Sequence, residues 1–358
     1  MPNRTDQITL RAHLTICLFL VGLLSHAPRT DAAPLVSPDG IVQLPRSVET
    51  LNQAAVFTFA VVSDHKGLSP NSSPIMKHCV DQIAQLNARF VVGLGDHLVK
   101  GRKNPFLTFI KSDPFWSRHF YPNVADGENA YYGTGQDHWG AGGKLLSHLA
   151  MSDWPEVRIR PNGCEYYARI PVENYVIHLV QLHYGDSPLD PVKAFREDSR
   201  AYLMTTLDAI DKQPDRDLIV LAAHTGDWLR TLSDDRRNAV LQKADLVIGA
   251  TTHFFTKYSH GNTGPLVINS GAVGFARRFP KKLPLGSAVR NYNGYLSVHV
   301  LADPLALLVQ YQRVEPDAPI LQIVEPRFGC LKIIGGKTFP LRFRQQTTSA
   351  PADKNSQP

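Results

Sequence analysis

Two stretches of this chain, AAVFTFAVVSD (residues 54–64) and RFVVGLGD (residues 89–96), stay apolar for the length of a strand and then stop on an aspartate. Unbroken apolarity over that length fits a strand covered on both faces, whereas a half-exposed strand alternates. Between them lies IMKHCVDQIAQLNA, in which Ile75, Cys79, Val80, Ile83 and Leu86 recur at helical spacing. The three segments read as a β-α-β unit. It puts Asp64 and Asp96 at the carboxyl ends of its strands, the edge where open α/β sheets carry their ligands.

The same pattern returns further along. YYARIPV and YVIHLVQLHYGD read as strands and AYLMTTLDAI as a helix, while DLIVLAAH and ADLVIGATTHFF read as buried strands running into His224 and His253. PLVINSGAVGF and GYLSVHVLADPLALLVQYQRV carry the alternation and turns of antiparallel strands. Residues 101–164 read as loop-rich, with GTGQDHWGAGG their most flexible part. No repeat and no Pro/Gly-rich linker divides the body. It is taken as one domain over residues 54–315, with extensions at 34–53 and 316–343 and a tail at 344–358 of disordered composition.

Residues 1–33 stand apart from this scheme. Arg4 and Arg11 precede an apolar run, Leu14 to Leu24, and small residues follow at Ala32 and Ala33. A bilayer span needs roughly 20 apolar residues. The shorter run with a charged start predicts a secretory signal peptide, hence a secreted or periplasmic protein with no stable membrane insertion once the signal is removed. An uncleaved anchor is the other reading of the same segment. Outside the signal remain Cys79, Cys164 and Cys330, an odd number that permits at most one bridge. The net charge of +6 is spread out, with short clusters such as Arg277–Arg278 and Lys281–Lys282. That excludes a nucleic-acid groove and leaves a modest attraction for anionic small molecules.

Metal-competent side chains close four of the buried strands: Asp64, Asp96, His224 and His253. The loop YPNVADGEN adds Asp126 and Glu128 between the second and third. Any one of these is more often a cap or a turn residue than a ligand. Together, on strand ends that share an edge, they predict a metal centre, and mixed oxygen and imidazole donors suit manganese, zinc or iron.

The blocks VVSDHKG, GLGDHLVKG, YPNVADGEN, LIVLAAHTGDW and LVIGATTHFF resemble, in order and spacing, the five blocks of the calcineurin-like metallophosphoesterase family, over about Phe57 to Gly274. INSGAVG resembles the glycine-rich strand that follows the last block. The resemblance implies an α/β fold, a two-sheet β-sandwich flanked by helices, with two metal ions at the strand ends; the altered blocks of this chain leave one or two. It also implies Asp64, Asp96, Asp126, His224 and His253 as ligands, Asp96 being the carboxylate between the ions.

The match is incomplete in an informative way. The family's DxH histidine position is Lys66 here, with His65 displaced by one; Gly127 stands at the place of the catalytic histidine, Glu128 at the final acidic place, and Thr251 at the first GHxH histidine. Lys66, beside Asp64 and Asp96, is a physical substitute for part of one ion's charge, which would leave a one-metal site at Asp96, Asp126 and His224. A proton for the leaving group would have to come from elsewhere: His97 first, then His183, Asp137 or His138. No G-x-S-x-G elbow and no HExxH is present, and GCLKIIGGKT lacks the first glycine of a phosphate loop. Two functions therefore lead, with a different metal-assisted hydrolysis by the altered site as a third. One is an exported metal-dependent hydrolase of small phosphate mono- or diesters. The other is a family member that no longer hydrolyses and binds a phosphorylated or polyanionic ligand.

Overall fold

Both faces of the central strands are covered, which is why their sequences run apolar without alternating. The computed structural model describes residues 52–99, 104–125, 128, 131–132, 143–183, 196–214, 218–250, 255–259, 265–274, 293–302, 305–314, 329–334 and 338–340, all within one unit, Val36–Pro358. In chain order the strands are β1 (Ala55–Val62), β2 (Val91–Gly93), β3 (Phe120–Pro122), β4 (Val157–Ile159), β5 (Tyr166–Val172), β6 (Tyr175–Leu182) and β7 (Leu218–Ala223). They continue with β8 (Leu246–Gly249), β9 (Phe255–Ser259), β10 (Leu266–Ser270), β11 (Gly294–Ala302), β12 (Leu305–Arg313), β13 (Gly329–Ile333) and β14 (Thr338–Pro340). These form two mixed sheets, ordered β14-β13-β12-β11-β1-β2-β3 and β4-β5-β6-β7-β8-β10-β9. The architecture is α/β, two sheets flanked by helices, as the sequence predicts.

Side-chain alternation sorts the second sheet into two cores. Ile177 and Leu179 of β6, Leu218 and Val220 of β7, and Leu246 and Ile248 of β8 join a core that includes Phe59, Val61 and Val298 of the first sheet. The intervening Val180, Leu182, Ile219, Leu221 and Val247 face a second core with Trp228 and with Leu203 and Leu207 of a helix, Glu197–Ile210. A one-residue slip in any of these strands would exchange the two sets, so burial on both sides still fixes register through shape.

The helix expected between the first two strands is α1 (Pro74–Gln85). Its start is set locally: Pro74 occupies the first turn and Ser73 Oγ accepts the Met76 N–H at 3.3 Å. Asn87, at φ 51°, carries the chain out of it in the left-handed region. β1 and β2 are parallel neighbours, with Val61 opposite Val92.

The loop-rich reading of residues 101–164 is only partly right. Helices α2 (Pro105–Ser112), α3 (Trp116–His119) and α4 (Lys144–His148) lie there, with β3 and β4. Elements of three to eight residues are too short for a repeat to show. The helix of residues 197–210 is α5, and α6 (Asp234–Lys243) was also missed. Val240 is its one buried residue, so it has no stripe to read. The segment set off as an extension at 316–343 contributes β13 and β14, which continue the first sheet beyond β12. These strands stand where the phosphate-loop look-alike lies. Cys79, Cys164 and Cys330 are all buried. Residues 1–33 and the tail lie outside the described residues. Among the described residues no helix is long and apolar enough to cross a membrane.

The first sheet contains a buried polar pairing that bears on acid stability. Thr58 on β1 is opposite His299 on β11, with Oγ1 and Nδ1 2.8 Å apart, and His299 Nε2 is 3.1 Å from Ser297 Oγ. Burial holds His299 down to a pKa of about 3 from an ordinary 6.5. The unfolded chain therefore takes up a proton below 6.5 that the folded chain refuses, and stability falls as the pH drops from there towards 3. Between pH 7 and pH 5 this one group should remove about 2 kcal/mol. Urea unfolding of His299→Gln should show a pH 7 to pH 5 loss smaller than the parent's by that amount; equal losses in the two proteins would contradict the assignment.

Candidate metal centre

The centre is built by continuing a parallel strand pair past its end. Beyond β1 and β2 the two loops stay hydrogen-bonded: Leu94 N–H to Val62 O at 2.9 Å, Asp64 N–H to Gly95 O at 3.1 Å and Lys66 N–H to Asp96 O at 3.0 Å. Asp64, Lys66 and Asp96 all take left-handed backbone, at φ 52°, 48° and 53°. Aspartate tolerates that region moderately and lysine less so. Gly95, at φ 92°, is required for space as well, since a Cβ there would meet Ala125 Cβ at 2.4 Å and His224 Nδ1 at 3.1 Å.

His224 arrives from the other sheet, directly after β7. Its Nδ1 donates to Leu94 O at 2.7 Å, which sets the tautomer and turns Nε2 towards Asp96, 3.9 Å from Oδ2. Asp64, Asp96 and His224 are buried, and one potential ligand atom from each lies within 4.8 Å of the others. Among the described residues this is the group of three or more metal-competent side chains that comes together. The 3.9 Å between Nε2 and Oδ2 is within the reach of two metal bonds of about 2.1 Å each. An imidazole pinned through its other nitrogen to a carbonyl is the usual support of a metal-binding histidine. By donor chemistry and geometry these residues fit a divalent or trivalent ion. Asp126 and His253, the other expected ligands, lie outside the described residues, as do Gly127, Thr251, Asp137 and His138.

His183 repeats the arrangement of His224 one strand away. β6 and β7 are parallel with Leu182 opposite Ala223, so the two histidines leave adjacent strands at the same level. His183 Nδ1 donates to Val124 O at 2.6 Å, as His224 does to Leu94 O. Beneath them, Asn123 Nδ2 donates to Gln181 Oε1 at 2.9 Å and to Leu182 O at 2.8 Å, and Gln181 Nε2 donates to Tyr121 O at 2.9 Å. Tyr166 OH reaches Pro122 O at 3.0 Å. A seam of buried polar contacts thus binds the two sheets along the carboxyl edge.

Two expected catalytic residues have different surroundings from those the sequence suggested. His97 is fully buried, its ring between Phe106 and Phe120. Its Nε2 accepts the Gly95 N–H at 3.1 Å, so its proton lies on Nδ1 and points to His65 Nε2, 2.8 Å away. Burial lowers both histidines, His65 to about 3, with its neighbour Lys66 adding to the effect and Asp96 opposing it. A neutral imidazole with both nitrogens occupied inside the protein is not placed to protonate a leaving group. Sequence adjacency to Asp96 carries no sign of this, because the chain turns His97 inward.

Glu128 is fully buried and serves the backbone. Oε1 accepts the N–H groups of His97 at 2.6 Å and Leu98 at 3.0 Å; Oε2 accepts those of Asp96 at 3.1 Å and Ala125 at 2.9 Å. Burial, reinforced by the Asp96 charge, pushes its carboxyl up to about 7 against the pull of those amides. Glu128 is therefore the clasp that shapes the Asp96 loop. The Lys66 ammonium is paired with Asp96 Oδ2.

No protein-family model matches the chain, and no curated protein matches it. Solved structures match it at the level of chain trace. GAP50, the anchor in the inner membrane complex of Plasmodium, gives a TM-score of 0.48 at 13% identity, covering 82% of this chain and 90% of that one. A Staphylococcus aureus protein assigned as a 5'-nucleotidase, in complex with alpha-ketoglutarate, gives 0.42 at 14%, covering 83% of this chain and 56% of its own. Vps29 of Chaetomium thermophilum gives 0.32 at 10%, covering 80% and 98%.

Because each oxygen of Glu128 takes two amides, a glutamine cannot escape by flipping: its NH2 would face two N–H groups either way. Glu128→Gln should cost about 3 kcal/mol in urea unfolding, more than an isosteric change normally does. A loss below about 1 kcal/mol would show that the clasp is not needed.

Proposed function

We propose that this chain is an exported, metal-dependent hydrolase of small phosphate mono- or diesters. The observation that carries the metal part is the convergence of Asp64, Asp96 and His224 from three strand ends on two sheets. Asp64, Asp96 and His224, with Asp126 and His253 as further ligands, would hold the ion. A manganese, zinc or iron ion there supplies Lewis acidity towards phosphoryl oxygens and a more acidic water. The phosphate part rests on the order of the sequence blocks and on the Lys66 ammonium beside the ligands, a ready partner for an anionic oxygen. His183, level with His224 along the edge, is the residue we assign to leaving-group protonation in place of His97. Export rests on the charged start and short apolar run of residues 1–33.

The inward placement of His97, with Gly127 at the family's catalytic-histidine position, favours a second reading: a protein that binds a phosphorylated or polyanionic ligand without turning it over. Turnover of chromogenic phosphate mono- and diesters, with manganese, zinc or iron added to chelator-stripped protein, separates the two. Hydrolysis should depend on the metal and fall about 100-fold or more in Asp96→Ala. Absence of metal-dependent turnover across the panel, with retained binding of the same esters, would establish the binding reading instead.

A further inference from the structure

The contacts of Asp96 bear on how many ions the centre takes, a question that rests on the metal reading above. A carboxylate that links two ions must give an oxygen to each. In this chain Asp96 Oδ2 is paired with the Lys66 ammonium and also faces His224 Nε2 at 3.9 Å. The pairing is built into the fold. The Lys66 N–H is bonded to the Asp96 backbone carbonyl at 3.0 Å, its backbone is held at φ 48°, and its side chain is 24% exposed beside a carboxylate that is 7% exposed. A lysine ranging through solvent would have none of these constraints. Charge leads the same way: of the two negative charges that Asp64 and Asp96 bring, the ammonium already offsets one, which weakens the hold on a second ion. A second ion would have to approach against the ammonium.

We propose that Lys66 is the resident second cation of this centre. The chain binds one metal ion at Asp64, Asp96 and His224, and a phosphate group sits between that ion and the Lys66 ammonium. This departs from the paired ions that the block resemblance implies, and it accounts for a lysine at a position where a ligand would be expected.

The test is a count and an affinity, independent of turnover. Chelator-stripped full-length protein is titrated with Mn2+ or Zn2+ by calorimetry at low ionic strength, and the loaded protein is analysed for bound metal. The unchanged chain should take one ion. Lys66→Met, which keeps the stem and removes the charge, should bind that ion about tenfold more tightly or better, because the repulsion is gone. Inorganic phosphate should bind the loaded variant about tenfold more weakly than the loaded parent. Two ions in the unchanged chain would overturn the role of Lys66 and leave the metal centre standing, as would a Lys66→Met affinity no tighter than the parent's. No ion in either protein would remove the centre itself and the proposal with it.

Discussion

The two sheets are joined along one edge by buried side-chain hydrogen bonds, most of them from one sheet to backbone carbonyls of the other, and the candidate centre depends on that stitching. His224 to Leu94, His183 to Val124, Tyr166 to Pro122, and the Asn123–Gln181 pair all cross the same gap. Apolar packing alone leaves two sheets free to shift by small amounts, because the hydrophobic effect is nearly without direction. A buried polar contact is different: moving it out of line leaves donors and acceptors unsatisfied in a medium where that is costly. The seam therefore fixes where one sheet's strand ends stand relative to the other's. Asp64 and Asp96 belong to one sheet and His224 to the other, so their meeting is set by these contacts.

The parts of the fold that were legible share a cause. Long apolar strands such as β1, β6 and β7 are visible because burial on both faces demands a run no other element shows at that length. Asp64, Asp96 and His224 were visible because each stops such a run. The acidic loop was legible as a place and misread as chemistry. Glu128 looks the same on paper whether it faces a metal or four amides, and only the path of the loop distinguishes them. His97 was misread for a related reason, since adjacency in sequence says nothing about which way a turn aims consecutive side chains. The signal that it is internal lies far off, in Phe106 and Phe120, whose rings enclose it.

The two exceptions to the sequence pattern thus have opposite characters. His65, displaced by one from the family's histidine position, forms an interior pair with His97, stacked at 4.7 Å between ring centroids. Where Lys66 replaces an imidazole, it keeps a charge next to the carboxylates. One change withdraws chemistry into the core, and the other exchanges one kind of positive partner for another.

The left-handed backbone at Asp64, Lys66 and Asp96 sets robustness against use. A glycine at any of the three would relax the main chain, and at Lys66 the relief is of order 1–2 kcal/mol. Each such exchange deletes a side chain the centre needs. Selection for thermal tolerance alone would therefore erode this edge first, and a hardened descendant of the chain would keep its sheets while its chemistry faded.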